Sequence, residues 1–167
     1  MKILGILGLL LLASVSFSQG KTQAEYDQML NEEYKKSVPF IQAKELYSKI
    51  LNGQKMCLLD TREGREYQIS AIKGAVHVGF LFFSKKKIQT VNKDDLIIVY
   101  CTIGARSETI GARLKKHGFQ NVYNLYGGII QWMNEGFPVY RNNQKTDEVH
   151  VYSKKWGRWL NKGKAQY

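Results

Sequence analysis

Cys101 begins a short segment, CTIGAR, that has the residue types of a nucleophilic cysteine site. A cysteine thiolate is a strong nucleophile, and nearby backbone N–H groups and cationic side chains stabilise its negative charge. Gly104 permits a tight turn that a side chain would block, and Arg106 adds a positive charge. The segment therefore predicts a catalytic Cys101 in an anion-binding loop formed by Thr102, Ile103, Gly104, Ala105 and Arg106.

Two apolar runs place this cysteine at one edge of a sheet. Residues 96–100 form a β-branched run that leads into Cys101 and predicts a buried strand, and residues 56–59 predict a second one. The residues that follow the loop suit a helix ending near Gly118, so the loop amides would lie at the positive end of a helix dipole. Cys101 is thus expected at the carboxyl ends of the strands, where α/β folds bind their ligands.

The rest of the chain alternates between short apolar runs and segments with helical spacing. Strands are predicted over residues 38–41, 56–59, 74–78, 96–100 and 121–124. Helices are predicted over residues 43–51, 60–67, 80–88, from the loop to 117, and 128–134. This alternation predicts an α/β fold with a five-stranded parallel sheet flanked by helices on both faces.

The remaining cysteine and the histidines suggest no further chemistry. Cys57 lies near the start of its strand, whereas Cys101 follows the end of its own, so the two sulfurs are expected beyond disulfide reach. We interpret both as free thiols, with Cys57 as a small buried core residue. The histidines, His77, His117 and His150, lack ligand spacing, so neither a metal nor another cofactor is predicted.

Residues 1–18 have the layout of a secretory signal peptide. One lysine precedes an apolar run from Ile3 to Ala13, and small residues surround the expected cleavage site. The alternative, an N-terminal membrane anchor, is disfavoured because the apolar run is short for a bilayer. We expect a periplasmic or secreted protein with no stable membrane anchor after cleavage. Residues 19–37 would then form a polar, helix-permissive N-terminal arm, to which we assign no chemistry.

The net charge of +11 favours anionic ligands. No nucleic-acid-binding motif accompanies the charge, and export argues against DNA, so no nucleic-acid partner is expected. Part of the charge lies in a basic C-terminal extension, residues 141–167, in which residues 149–152 predict an added strand. Trp156 and Trp159 would either pack on the domain or meet a partner, and packing is favoured because exposed tryptophans are uncommon.

Five segments occur in the order and at the spacing of the rhodanese domain, which the chain resembles over residues 38–140. They are DTREGREY (60–67), IKGAVHV (72–78), VYCTIGARS (99–107), NLYGGIIQW (124–132) and GFPV (136–139). The resemblance implies that Cys101 accepts a sulfane sulfur as a persulfide, held by the loop amides, and passes it to a thiophilic acceptor.

The resemblance also implies supporting residues around the loop. Asp60 is expected to order the loop by hydrogen bonds, and Ser107 lies in the matching segment directly after it. Arg62 is expected to support the same rim and, with Glu66 four residues later, is interpreted as a structural ion pair. Where the family usually has Gly-His-Ile-Pro-Gly-Ala, this chain has SAIKGA at residues 70–75. We expect this difference to affect local structure and donor preference more than the nucleophile.

Three functions are compatible with these residues. The first is an exported, monomeric sulfurtransferase that takes sulfur from a small anionic donor such as thiosulfate to a thiol or protein acceptor not identified by the sequence. The second is a rhodanese-fold binding or redox module with little turnover, which the intact Cys101, Gly104 and Arg106 argue against. The third is a cysteine phosphatase, whose loop needs five residues between cysteine and arginine, whereas four separate Cys101 from Arg106. We therefore predict a sulfurtransferase.

Overall fold

Five short strands form one parallel sheet, in the order β1–β5–β4–β2–β3. The structure is a computed structural model that describes residues 21–167; the predicted signal peptide, residues 1–18, lies outside the described residues, and export stays a prediction. The strands of this sheet are β1 (Phe40–Ile41), β2 (Cys57–Asp60), β3 (Val76–His77), β4 (Ile97–Tyr100) and β5 (Val122–Leu125). The main helices are α1 (Gln23–Glu33), α2 (Ala43–Leu51), α3 (Gly64–Ile69), α4 (Ala105–Lys116) and α5 (Gly128–Asn134).

The sheet is buried on both faces, because successive strand residues point to opposite sides. One set packs in a core with side chains of α1, α2 and α5, and it comprises Leu58, Ile98, Tyr100 and Leu125. The other set packs with side chains of α4, and it comprises Leu59, Ile97, Val99 and Val122. The predicted five-stranded parallel sheet with helices on both faces is confirmed.

The register of the central strands separates the two cysteines. Cys57 pairs with Ile97 at the start of β4, whereas Cys101 follows Tyr100 at its end. Four residues of extended strand span about 13 Å, which exceeds the reach of a disulfide. Cys57 is half-buried rather than fully buried, and its burial raises the pKa of its thiol.

The segment that follows β3 corrects one predicted element. A helix was expected over residues 80–88, but this segment contains only a single 3₁₀ turn, Lys85–Ile88. Leu81 and Phe82 are 72% and 88% exposed, and Phe80 and Phe83 are only partly buried against the core, so the segment buries too little apolar surface to stabilise a helix. Ile88 is the buried residue that anchors the end of the segment.

The N-terminal arm is an integral part of the core. Thr22 caps α1 in a reciprocal arrangement with Glu25, and the helix buries Tyr26 and Leu30. These two side chains belong to the same cluster as the residues of α2 and α5. The arm therefore stabilises the face of the sheet that it covers.

The C-terminal extension also packs on the domain. Strand β6 (Val139–Arg141) leads into it and forms a hairpin with β7 (Gln144–Thr146). The extension also contains the parallel pair β8 (Glu148–His150) and β9 (Lys164–Gln166) and the short helix α6 (Lys154–Gly157). Trp159 is buried in the main core and Trp156 packs against it, in agreement with the packing interpretation. The predicted added strand is β8, and its pairing partner β9 was not predicted.

Two further properties concern the described part of the chain. None of its helices combines the length and the apolar character that a membrane crossing requires. Residues 21–167 also contain no cluster of three or more His, Cys, Asp or Glu side chains suited to a metal ion.

The junction between the arm and α4 generates a stability prediction. The buried carboxylate of Glu108 accepts hydrogen bonds from the backbone N–H groups of Lys35 and Ser37 and from the Ser37 hydroxyl. Glu108→Ala leaves these donors without an acceptor, so we expect the free energy of unfolding to fall by about 2 kcal/mol. Urea unfolding measures the change. Glu33→Ala, which removes a half-exposed ion pair to Lys155, should cost less than about 1 kcal/mol, and equal losses would contradict the assignment.

Candidate active site

Cys101 lies directly after β4, at the carboxyl edge of the sheet, with its side chain almost completely buried. The backbone N–H of Gly104 donates to Cys101 Sγ at 3.1 Å. Gly104 has a φ of 100°, and a Cβ at this position would lie 2.5 Å from the Tyr34 hydroxyl oxygen. Only glycine fits both the backbone conformation and the space. The loop therefore turns back on itself and directs an amide at the sulfur.

Helix α5 holds the first two carbonyls of the loop. The N–H of Ile129 donates to the oxygen of Cys101 at 2.9 Å, and the N–H of Ile130 donates to the oxygen of Thr102 at 3.2 Å. A Cβ at Gly128 would lie 2.5 Å from the oxygen of Cys101, so the close approach of the helix requires glycine there. Gly128 therefore has a packing role, since it lets the start of α5 approach the loop closely enough for both hydrogen bonds.

The next two carbonyls bind side chains from three other elements. The hydroxyl of Tyr34 donates to the oxygen of Ile103 at 2.6 Å. The side-chain amide of Asn124 donates to the oxygen of Gly104 at 2.9 Å, and Ser107 Oγ lies 3.0 Å from the same oxygen. Each carbonyl from Cys101 to Gly104 thus points into the protein. A trans peptide directs its N–H opposite to its C=O, so the Gly104 amide, which follows the Ile103 carbonyl, points away from Tyr34 and towards Cys101 Sγ.

Arg106 is held in place by Glu66. The guanidinium Nη1 and Nη2 each donate to the Glu66 carboxylate at 2.7 Å, and Nη2 also donates to Thr102 Oγ1 at 2.9 Å. The ring of Tyr152, in the C-terminal extension, lies 4.7 Å from Arg106 Cζ in a cation–π contact. Glu66 balances much of the positive charge predicted for Arg106, and the direct hydrogen bond to Cys101 Sγ comes from the Gly104 amide rather than from the guanidinium. The assignment of Arg106 to substrate binding stays a prediction.

The ion pair keeps both of its partners charged. Burial works against ionisation of Glu66, but the hydrogen bonds and charge of Arg106 outweigh it and lower the pKa of the Glu66 carboxyl. Burial likewise works against the charged form of Arg106, and its hydrogen bonds to Glu66, together with the nearby Cys101, raise its pKa above the ordinary value. This pair remains intact around neutral pH.

Asp60 and Arg62 form a separate, fully buried pair, which corrects two expectations. Arg62 Nε and Nη2 donate to the carboxylate of Asp60, at 3.0 and 2.6 Å, and Nη2 also donates to the oxygen of Ser70. Asp60 therefore does not order the cysteine loop by hydrogen bonds, and Arg62 does not pair with Glu66. The turn after β2 brings Asp60 and Arg62 together, while Glu66 lies on α3 facing α4.

Four residues of this site were missed or misassigned in the sequence analysis, namely Tyr34, Glu66, Asn124 and Tyr152. Asn124 is a polar residue at the end of a predicted buried strand, and this signal could have indicated its role. Glu66 was paired with the nearest arginine in sequence rather than with Arg106. The arm and the extension carry no sequence signal of contact with the loop, so Tyr34 and Tyr152 could not be found this way.

A family model described as the rhodanese-like domain matches residues 42–135. The chain belongs to the rhodanese-like family. In this rhodanese-like protein the matched region contains Cys101 and the whole loop, together with Glu66 and Asn124. Tyr34 and Tyr152 lie outside the matched region, so their contacts with the loop come from segments beyond the family domain.

Two curated relatives carry different names, one of which refers to sulfur. YrkF of Bacillus subtilis, named as a candidate sulfur carrier protein, is 33% identical over 96 residues, which cover 58% of this chain and 51% of that protein. The tRNA uridine(34) hydroxylase of Buchnera aphidicola is 32% identical over 139 residues, which cover 71% of this chain and 43% of that protein. The chain thus spans about half the length, or less, of these curated relatives.

A solved structure also resembles the rhodanese-like protein. The rhodanese-related protein of Thermoplasma volcanium is 28% identical, with a TM-score of 0.54, and the match covers 61% of this chain and 97% of that one. Almost the whole of that protein is therefore matched by about three fifths of this chain.

The pair of Glu66 and Arg106 generates a pH prediction. Because folding lowers the pKa of Glu66 below its ordinary value of 4.5, its carboxylate contributes stability that is fully present above pH 4.5 and is lost as the pH falls through the folded pKa. We expect the free energy of unfolding of the wild type to exceed that of Glu66→Gln most at about pH 6. This difference should shrink as the pH falls below about 4.5, as measured by urea unfolding across that range. A difference independent of pH would contradict the assignment.

Proposed function

We propose that Cys101 carries a sulfane sulfur as a persulfide and transfers it to a thiophilic acceptor. The observation that supports this proposal most strongly is the 3.1 Å contact from the Gly104 N–H to Cys101 Sγ, in a loop whose four carbonyls all bind the protein. Amides arranged around a thiolate also suit the terminal sulfur of a persulfide, which is likewise anionic. Membership of the rhodanese-like family supports the same chemistry.

Sulfur transfer would run in two half-reactions through the covalent intermediate. The Cys101 thiolate attacks the outer sulfur of a donor such as thiosulfate, a new S–S bond forms, and sulfite leaves with the electron pair of the broken S–S bond. An acceptor such as cyanide or a thiolate then attacks the terminal sulfur of the persulfide. The Cys101 thiolate leaves and is regenerated, so no external oxidant or reductant is consumed.

The donor that we propose is small and anionic. Cys101 is only 1% exposed, so a small donor group can reach its sulfur more easily than a bulky one. The overall charge of +11 attracts anions to the surface. The proposal extends neither to the acceptor nor to the hydroxylase activity named for the longer relatives.

The alternatives differ in what the loop must accommodate. A cysteine phosphatase needs room for a tetrahedral phosphoryl group, whereas four residues separate Cys101 from Arg106 and Arg106 is already bound bidentately by Glu66. A binding module would not need an amide aimed at the sulfur, and a dithiol redox module would need a second cysteine within disulfide reach, whereas Cys57 lies at the opposite end of the sheet. Both features favour sulfur transfer.

The first functional prediction separates the two cysteines. Cys101→Ser should reduce thiosulfate-to-cyanide sulfur transfer by at least about a thousandfold, because it removes the nucleophile. Cys57→Ser should retain most of the activity, since Cys57 lies at the opposite end of the sheet. Thiocyanate formation measures the rate.

Mass spectrometry provides the control for this pair of variants. After treatment with thiosulfate, the wild type and Cys57→Ser should gain the mass of one sulfur atom, and cyanide should remove it. Equal loss of activity in both variants, or a sulfur atom carried by Cys57, would contradict the proposed single-thiol mechanism.

The second functional prediction tests the length of the loop. Inserting one alanine between Ala105 and Arg106 separates the arginine from Glu66 and opens the ring of amides, so sulfur transfer should fall by more than about a hundredfold. The native protein should hydrolyse a generic aryl phosphate negligibly. As a matched control, one alanine inserted between Asn142 and Asn143, in the turn of the β6–β7 hairpin, should leave sulfur transfer unchanged. Efficient phosphate hydrolysis, or an active loop insertion, would overturn the argument from loop length.

A further inference from the structure

The peptide unit between Ile103 and Gly104 is bonded at both ends. Its carbonyl oxygen accepts the hydroxyl proton of Tyr34 at 2.6 Å, and its N–H donates to Cys101 Sγ at 3.1 Å. The C=O and the N–H of a planar trans peptide point in opposite directions. Rotation of this unit would therefore weaken both hydrogen bonds together, and the hydroxyl of Tyr34 fixes the direction of the amide that contacts the sulfur.

The hydroxyl of Tyr34 has one available direction for its proton. The backbone N–H of Gly127 donates to the same hydroxyl oxygen at 2.9 Å, so the proton of the hydroxyl is directed at the oxygen of Ile103. Burial raises the pKa of Tyr34 well above its ordinary value, which keeps the phenol protonated and able to donate. The hydroxyl thus links Gly127, at the N-terminus of α5, to Ile103 in the centre of the loop.

The ring of Tyr34 is itself held by packing. Its centroid lies 4.7 Å from that of Phe40 and 5.9 Å from that of Tyr126, and the side chain is only 8% exposed. The next residue of the arm, Lys35, donates its backbone N–H to Glu108 on α4. Both the ring and the backbone around it are therefore fixed relative to the loop.

We propose that Tyr34, which lies outside the family domain, is a positioning residue that aims the Gly104 amide at the sulfur of Cys101. The proposal deepens the assigned sulfur transfer and rests on it for the role of the persulfide. Its geometric content, however, concerns the stabilisation of the Cys101 thiolate and can be measured without any sulfur donor. The N-terminal arm is then part of the catalytic apparatus rather than an appendage.

Tyr34→Phe tests the proposal, because it keeps the ring and removes only the hydroxyl. We expect thiosulfate-to-cyanide transfer to fall roughly tenfold, since one preorganised donor is weakened rather than lost. In addition, the rate of Cys101 alkylation by iodoacetamide, measured in the Cys57→Ser background, should reach its half-maximum at a higher pH than in the parent. A merely structural role of the hydroxyl would not move this pH profile.

Tyr126→Phe is the matched control. It removes a hydroxyl that joins the same arm to the domain through Asp27, 2.9 Å away, without touching the loop. Its transfer rate and its alkylation profile should both match those of the parent. Should Tyr34→Phe prove unfolded in buffer, the profiles of all variants are taken in sucrose, which favours the compact state.

The outcomes separate this proposal from the proposed function. An alkylation profile that shifts only in Tyr34→Phe supports the positioning role even if the wild type transfers no sulfur, in which case the proposed function fails alone. The positioning role is overturned if Tyr34→Phe is folded, its alkylation rate reaches half-maximum at the same pH as in the parent, and its transfer rate stays within about twofold of the parent. A shift of equal size in Tyr126→Phe also overturns it, because the effect would then belong to the docking of the arm.

Discussion

The site depends on the orientation of four consecutive peptide carbonyls, those of residues 101–104. Each is bonded to a donor on the protein side, and the donors come from the arm, α4, β5 and α5. Because buried backbone groups are paired in folded proteins, these bonds fix the orientation of each peptide in the loop. They hold the Gly104 amide at 3.1 Å from the sulfur of Cys101. Catalysis by preorganised dipoles requires donors that already point at the anion site before the substrate binds.

Charge plays a smaller part in the site than its arginine suggests. Arg106 donates hydrogen bonds to Glu66 and Thr102, and Tyr152 packs against its guanidinium. The buried pair of Asp60 and Arg62 stabilises the neighbouring turn instead of the loop. The pair of Glu66 and Arg106 therefore organises the rim beside the sulfur, while the Gly104 amide makes the direct contact with it. The arm and the C-terminal extension both contribute to that rim, although neither lies in the family domain.

The fold and the position of the nucleophile could be predicted because they follow from local patterns. The apolar run of residues 96–100 can only be a buried strand, and a cysteine directly after it must lie at the ligand-binding edge. The partners of the loop could not be predicted, since Tyr34 and Ile103 are 69 residues apart in sequence and neither belongs to a repeating pattern. The expected helix over residues 80–88 failed for a related reason. Whether its apolar residues are buried depends on the rest of the fold, which leaves Leu81 and Phe82 exposed and Phe80 and Phe83 only partly buried.

The most direct test of this account is a crystal structure of the protein after treatment with thiosulfate, with sulfur atoms located by their anomalous scattering. The account predicts one additional sulfur bonded to Cys101 Sγ, within hydrogen-bond distance of the amides of the loop, with the carbonyls of residues 101–104 still bound to the protein. Additional sulfur on Cys57, or an unmodified Cys101 whose loop amides point away from the sulfur, would contradict it.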